Sequence, residues 1–255
     1  MQLHKLQGYI QHIFLVEYPH ALMLLDGACR ADFHIVREYI ENILKRPLSD
    51  LNVVMVTHMH PDHAGCAQLF REKTNCKIVS GPVAEDWYAG ISGRFAHLTD
   101  IILAQWVAKK IGKKRRFIWY PRMLNADIKL NDGESVPGFE DWQVISTPGH
   151  TSMDISIANA KEKIIYVADL NVKIKDQLHP PFPVHFPIQY KHSLNRMHDF
   201  ADYTVLMAHV ESQKLQKNDI TALIEKAPSK AQNSKQAITS MLRKMLGMSF
   251  TSARK

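Results

Sequence analysis

The chain has few cysteines and no long apolar run. Its 255 residues include three cysteines, Cys29, Cys66 and Cys76, whose spacing matches neither a disulfide framework nor a zinc finger. An odd number of thiols without such a framework favours a reducing compartment, so we expect a cytoplasmic protein. No apolar stretch approaches the roughly 18 residues of a membrane span, and residues 1–8 lack the charged and apolar regions of a secretory leader.

Linkers, internal repeats and low-complexity segments are also missing. The hydrophobic fraction of 45% and the charged fraction of 22% are ordinary for a globular protein. Chains of this length often form one α/β domain, so we predict a single domain over residues 1–255.

Acidic residues are absent from residues 226–255. This stretch holds seven basic residues, and removing them from the total of 32 leaves 25, which equals the number of acidic residues, 25. The body is therefore neutral, and nucleic acid is not expected as a partner. Apolar residues at helical spacing predict a basic C-terminal helical extension over 226–255. We favour its packing on the body over contact with a membrane surface or a second subunit, and assembly into a homo-oligomer stays open.

The run from Thr57 to Gly65 concentrates possible metal ligands directly after the apolar, strand-like segment 52–56. Side chains two apart share a face of a strand, so His58 and His60 can bind one cation. Asp62 and His63 fall in the turn that follows and can face a second, adjacent position. Imidazole and carboxylate suit zinc, iron, manganese or cobalt, and the absence of cysteine ligands favours an open site over a closed structural one.

Three later apolar runs also end on residues of ligand type. His150 lies in a turn after the strand-like segment 142–145, Asp169 ends the run 163–168, and His209 ends the run 203–208. Because active sites of layered α/β proteins collect at strand ends, we expect these side chains to lie close together.

This ordered set of residues, with Asp26 at the end of the earlier run 21–25, resembles the metallo-β-lactamase fold superfamily over roughly residues 9–212. The resemblance implies an α/β fold, a four-layer αββα sandwich with a metal cleft at one edge of two sheets. It also implies that a first metal is held by His58, His60 and His150, and a second by Asp62, His63 and His209. Asp169 would bridge the two ions, and Asp26 would support the ligand loop through hydrogen bonds.

A pair of cations implies a hydrolytic reaction. Two divalent ions, with zinc expected and iron or manganese as alternatives, can hold a bridging hydroxide at neutral pH and polarise a carbonyl group. Asp62 would orient this nucleophile and shuttle a proton. The sequence therefore favours a metallohydrolase that cleaves an ester, thioester or lactone bond in a small molecule.

The resemblance leaves other activities open. A bridging aspartate at Asp169 is similar to glyoxalase II and the acyl-homoserine lactonases, but Leu170 and Val172 depart from their usual continuations. The alternatives are a mononuclear iron persulfide dioxygenase, a β-lactamase or phosphodiesterase, and a non-enzymatic metal-binding module.

Residues 83–123 are predicted to form a helical insertion or lid. The segment carries a wide apolar surface, which is either ordinary core or an aromatic wall for substrate. Its six cations within residues 109–116 form a solvated face or steer an anionic substrate.

Several smaller expectations concern single residues. His179, His185 and Tyr190, in or near a proline-stiffened loop, are candidates to donate to a developing oxyanion, although ordinary packing roles are favoured for each. Asp32 is expected to cap a helix, and a further helix is expected directly after the metal turn, over residues 64–73.

Overall fold

The computed structural model describes residues 1–82, 87–174 and 177–233. Within these ranges, the strands form two six-stranded sheets and a two-stranded ribbon. In spatial order, the first sheet contains β1 (Gln2–Gln7), β2 (His12–Glu17), β3 (Leu22–Leu24), β4 (Leu51–Val56), β5 (Lys77–Ser80) and β6 (Ile128–Lys129). The strands β1, β2 and β3 are antiparallel neighbours, whereas β3, β4, β5 and β6 run parallel.

The second sheet has the order β14-β13-β10-β9-β8-β7. Its strands are β7 (Ser135–Val136), β8 (Phe139–Ser146), β9 (Ile155–Asn159), β10 (Ile164–Tyr166), β13 (Thr204–Leu206) and β14 (Gln213–Lys214). The ribbon pairs β11 (Val172–Ile174) with β12 (Gln177–His179). The described α-helices are α1 (Phe33–Glu38), α2 (Ala67–Thr74), α3 (Gly90–Lys110), α4 (Pro187–Arg196) and α5 (Lys217–Lys226).

Strand β4 shows how the layers are built, because its alternate side chains enter different cores. Val53 and Met55 pack between the two sheets, whereas Val54 and Val56 pack beneath α1 and α2. A third core joins the outer face of the second sheet to α4 and α5. The predicted four-layer αββα sandwich is therefore confirmed.

Two helix starts differ from the sequence expectation. Asp32 directly precedes α1 but caps no N–H of that helix; its carboxylate instead accepts hydrogen bonds from the backbone N–H groups of Tyr9 and Cys29. Helix α2 begins at Ala67 rather than at residue 64, because the N–H of Cys66 donates to the carbonyls of Gly27 and Ala28. At the start of α2, the N–H of Cys66 therefore finds its acceptors in a distant loop. At the start of α1, the carboxylate of Asp32 accepts from N–H groups outside the helix.

The structure describes most of the predicted insertion but little of the predicted C-terminal helix. Helix α3 lies inside the predicted insertion, between β5 and β6. Helix α5 ends at Lys226, and most of the predicted C-terminal helix, residues 234–255, lies outside the described part of the chain. No helix in the described ranges is long and apolar enough to cross a membrane.

Candidate metal centre

The strand ends of both sheets place the seven predicted ligands around one cleft. The motif 58–63 follows β4 in the first sheet, while residues 150, 169 and 209 follow β8, β10 and β13 in the second. Their donor atoms form two compact groups, each with all its atoms within 4.8 Å of one another. The groups are His58, His60, His150 and Asp169, and Asp62, His63 and His209.

The first group has the shape of an imidazole ligand set. Nδ1 of His60 lies 3.0 Å from Nε2 of His58 and 3.0 Å from Nε2 of His150. The rings meet edge to face, with interplanar angles of 78° to 85°, so their nitrogen atoms converge on one point. In a tetrahedral zinc site, ligand nitrogens are separated by roughly 3.3 Å, which these distances approach.

The second group combines two imidazoles with a carboxylate. Oδ2 of Asp62 lies 3.1 Å from Nε2 of His209 and 3.5 Å from Nε2 of His63. Both of these nitrogen atoms also face Oδ1 of Asp169, at 3.2 Å and 3.3 Å.

Asp169 lies between the groups and turns one oxygen toward each. Its Oδ1 faces the second group, while Oδ2 lies 3.6 Å from Nε2 of His150 and 3.9 Å from Nε2 of His58. A carboxylate in this position can bridge two cations.

The residues present fit metal ions. Nε2 of His63 and Oδ1 of Asp169 are buried and have no hydrogen-bond partner in the described residues. Buried polar atoms without partners are costly, and a cation between these atoms would satisfy both. The donor set of imidazoles and carboxylates is one that zinc and iron accept.

Hydrogen bonds outside the groups determine which imidazole nitrogen carries the proton. Nδ1 of His150 donates to the carbonyl of Pro183 at 2.7 Å, and Nδ1 of His209 donates to that of Ile10 at 3.1 Å. Since a carbonyl can only accept, Nδ1 of each ring carries a proton and Nε2 is the nitrogen that faces the cleft. His60 is reversed, because its Nδ1 faces the cleft and its Nε2 points outward.

Asp26 fixes the ligand loop, as the family resemblance implies. Its Oδ2 accepts hydrogen bonds from Nδ1 of His63 at 2.6 Å, from Oγ1 of Thr57 at 2.7 Å and from the hydroxyl of Tyr166 at 2.9 Å. Because Thr57 gives its proton to Asp26, its oxygen accepts from Nδ1 of His58 at 3.1 Å. One buried carboxylate thus orients two of the candidate ligands.

The electrostatics of the two groups differ. Burial, followed by neighbouring imidazoles, holds the pKa of His58 and of His60 well below the usual value, so both rings are neutral. Burial also opposes charge on His209, but Asp169 and Asp62 outweigh it and raise the pKa to about 10. The carboxylates therefore attract positive charge to the second group, as protons or as a divalent cation.

A cavity of about 230 Å³ opens beside both groups. Its apolar lining includes Leu103 and Val107 of α3 and Phe182 of the proline-rich loop. No lysine or arginine lines it among the described residues.

Asp100 of α3 also lines this cavity, and sequence reasoning missed it. Oδ2 of Asp100 lies 3.8 Å from Nε2 of His60 and accepts a hydrogen bond from the hydroxyl of Tyr88 at 2.8 Å. Burial raises the pKa of Asp100 to about 7. One feature of the sequence could have identified Asp100, because it is the lone acidic residue between Arg94 and Lys109 in a mostly apolar helix.

The oxyanion candidates lie elsewhere or have other contacts. The hydroxyl of Tyr190 is committed to the carbonyl of Leu170 at 2.7 Å, and the ring is fully buried. His185 packs edge to face on Trp87 at 5.0 Å, and His179 belongs to β12.

The fold and the site together define an αββα protein with a cleft lined by candidate metal ligands. The family model of the metallo-beta-lactamase superfamily matches residues 6–209, and the chain belongs to that superfamily. Members of this superfamily bind divalent metal ions, which agrees with the two groups of donor atoms in this chain.

Known proteins resemble the chain at low identity. The probable metallo-hydrolase YqjP of Bacillus subtilis is 24% identical over 215 residues, and the match covers 76% of this chain and 64% of that protein. The chain thus spans somewhat less than two thirds of that relative. The metallo-beta-lactamase family protein TTHA1429 of Thermus thermophilus has a TM-score of 0.64 at 17% identity, covering 96% of this chain and 82% of that one. TTHA1623, solved in a di-iron-bound form, has a TM-score of 0.58 at 17% identity, covering 84% of this chain and 94% of that one.

Proposed function

We propose that this protein is a dinuclear metallohydrolase that cleaves an ester, thioester or lactone bond in a small molecule. The observation that carries the proposal is the position of Asp169, whose two oxygens face two separate groups of donors. A mononuclear centre would leave one of these groups without a function. The di-iron form of TTHA1623, a protein of the same fold, supports a pair of ions.

The ligand assignment follows the two groups. His58, His60 and His150 would hold one ion, Asp62, His63 and His209 the other, and Asp169 both. Zinc is the proposed metal, since the seven donors are five imidazoles and two carboxylates, a set that zinc accepts. When bound, such ions lower the pKa of water and polarise a carbonyl group.

For Asp62, the electrostatics favour orienting the attacking water over storing a proton. Burial raises its pKa, but His63 and His209 outweigh burial and lower it. An ionised Asp62 accepts a hydrogen bond and orients the attacking water. We propose this orienting role, because a carboxylate with a lowered pKa is a weak store for a proton.

The cavity lining supports the substrate class. Leu103, Val107 and Phe182 offer apolar contacts to an acyl group or ring. Beyond the proposed metal ions, the described lining offers no lysine or arginine for the charge of a phosphodiester or of a β-lactam carboxylate. Uncharged esters, thioesters and lactones therefore fit better.

We further propose that residues 83–123 act as a wall or lid of this cavity within a single domain, since α3 supplies part of the lining. A cytoplasmic location is proposed as well. It is supported by the three cysteines, which are all buried and unpaired.

Metal analysis combined with a substrate panel tests the proposal. We expect two divalent ions per chain and turnover of at least one aryl ester, acyl thioester or acyl lactone, lost on chelation and restored by zinc. A fully metallated protein that turns over none of them would contradict the substrate class. One iron per chain with oxygen uptake on a persulfide would instead establish the dioxygenase alternative.

A further inference from the structure

Helix α3 exposes an apolar stripe on the side that faces away from the metal cavity. Ile91, Phe95, Leu98 and Ile102 recur at spacings of four, three and four, so they lie on one face of the helix. Their exposed fractions are 75%, 67%, 45% and 45%. A stripe at this spacing normally packs into a core, whereas this one faces outward.

The segment after the helix enlarges this surface. Phe117 is 70% exposed and Trp119 is 51% exposed, and both line a groove of about 940 Å³ with Leu98 and Ile102 of α3. We call this surface the outer groove. Exposed apolar patches of this kind mark interaction sites.

Basic residues border the outer groove. Lys109, Lys113, Arg115 and Arg116 line it, and no acidic residue does so among the described residues. Nζ of Lys110 lies 4.5 Å from the ring centre of Trp106, another lining residue. The groove thus combines an apolar floor, aromatic side chains and a cationic border.

We propose that the outer groove docks on an anionic lipid bilayer, with its apolar side chains inserted at the interface and its cations on the headgroups. The positive charge of the groove favours a bilayer over a second copy of this chain or over its own residues 234–255. In a two-fold dimer, identical basic borders would face each other. Residues 234–255 carry five basic residues and no acidic one, so their charge also disfavours them as the occupant.

The position of α3 connects this surface to the metal cavity. Its opposite face supplies Asp100, Leu103 and Val107 to the cavity. When the protein docks on a bilayer, helix α3, which forms one wall of the cavity, would therefore lie against the bilayer. Docking itself does not depend on the proposed hydrolase activity.

Sedimentation of the full chain with vesicles tests the proposal. We expect binding to phosphatidylcholine vesicles that contain roughly 30% phosphatidylglycerol, weak binding to pure phosphatidylcholine, and release by salt. Replacing Lys113 and Arg115 by glutamine should weaken binding roughly 25-fold, at about fivefold per charge. The matched control replaces the exposed Lys73 and Lys161 in the same way and should bind like the wild type.

The apolar contribution is tested separately. The double variant Ile102→Ala, Phe117→Ala should lose on the order of tenfold in vesicle affinity, with unchanged turnover of a water-soluble ester. A control with Ile43→Ala and Ile188→Ala, which removes apolar residues that are 65% and 76% exposed elsewhere, should bind normally. His58→Ala should also bind normally, which separates docking from catalysis.

Three results would overturn the proposal. The first is a vesicle-binding result without the expected selectivity. Either the wild type binds neutral and anionic vesicles equally, or the groove variants bind anionic vesicles as tightly as their controls. The second is a solution dimer that the Ile102→Ala, Phe117→Ala variant dissociates. The third is RNA binding that the groove substitutions weaken in a chain that does not bind vesicles.

Discussion

At the scale of single residues, the candidate centre depends on the proton on each imidazole. A histidine can bind a metal only through a nitrogen that carries no proton. Thr57 and Asp26, together with the carbonyls of Pro183 and Ile10, place the proton on the nitrogen that faces away from the cleft. Four rings therefore turn the metal-binding nitrogen toward the cleft before any ion arrives. Burial opposes charge on His63 and His209, but Asp169 and Asp62 outweigh it and raise the pKa of both, so these two rings must release a second proton when an ion binds.

Replacing Asp26 by asparagine tests this orientation. The amide cannot accept from His63, Thr57 and Tyr166 together as the carboxylate does, so His63 loses its fixed tautomer. We expect metal affinity and kcat/KM to fall about 10- to 100-fold, which is the usual effect of residues behind a metal ligand. Titration with a competing chelator measures the affinity.

The control is Asp202→Asn, which removes a carboxylate from an exposed ion pair with Lys163. It should leave affinity and turnover unchanged. If both variants behave alike, the orienting role of Asp26 is wrong.

A second prediction at this scale concerns Asp100, which we expect to position His60. Asp100→Ala removes the carboxyl group near Nε2 of His60 and the acceptor for Tyr88. We expect metal affinity to fall by about tenfold. Asp100→Asn keeps an acceptor for Tyr88 and should recover part of the loss.

Metal content separates positioning from a merely structural role. If Asp100→Ala reduces thermal stability but binds metal with wild-type affinity, the carboxylate acts on the fold and not on His60.

At the scale of elements, one tight turn carries the ligand motif from β4 into α2. The backbone N–H groups of His63 and Ala64 donate to the carbonyl of His60, which curls the chain so that residues 58–63 face one cleft. Gly65 closes the turn, because a Cβ there would lie 2.1 Å from the carbonyl oxygen of Pro61 and 3.0 Å from the backbone nitrogen of Arg30.

We predict that Gly65→Ala destabilises the fold by about 3 kcal/mol, since backbone must move to admit the methyl group. The displaced turn should also reduce metal content. Urea denaturation monitored by circular dichroism gives the first value, and elemental analysis of the folded fraction gives the second.

Gly133→Ala is the matched comparison. A Cβ at Gly133 meets nothing within 4 Å, although its φ of +82° disfavours alanine. We expect a cost of about 1 kcal/mol there and full metal content. Equal effects of the two substitutions would show that close packing in the turn is unimportant.

At the scale of the whole molecule, the candidate metal centre lies between the two halves of the sandwich. The first sheet supplies residues 58–63, and the second supplies residues 150, 169 and 209. Ions that bind all of them would therefore stabilise the contact between the sheets. Stability and metal binding should be thermodynamically linked.

Metal removal tests this linkage. Zinc at roughly 1,000 times its Kd should add about 4 kcal/mol to the free energy of unfolding, and chelation should remove it. Calorimetry of metal-free and zinc-loaded protein measures the difference. Asp169→Ala should lose most of this zinc-dependent increment, and a wild type without any increment would contradict ligation across the sheets.

The sequence by itself determined the layers and the candidate ligand set. Continuous apolar runs such as 53–56 specify strands that are buried on both faces. The residue types at the strand ends indicate the ligands, and the family resemblance that they carry implies the four layers. Both are local properties, so they can be seen without coordinates. That the seven residues bind metal remains a prediction.

Only the tertiary structure decided the features that depend on distant partners. Asp32 was expected to cap a helix, but the N–H of Tyr9, far away in sequence, uses its carboxylate. Asp100 reaches the cavity because α3 packs across it, and the apolar stripe of the same helix faces outward. A periodic pattern shows that a helix has two faces, but what each face contacts is determined by how the elements pack.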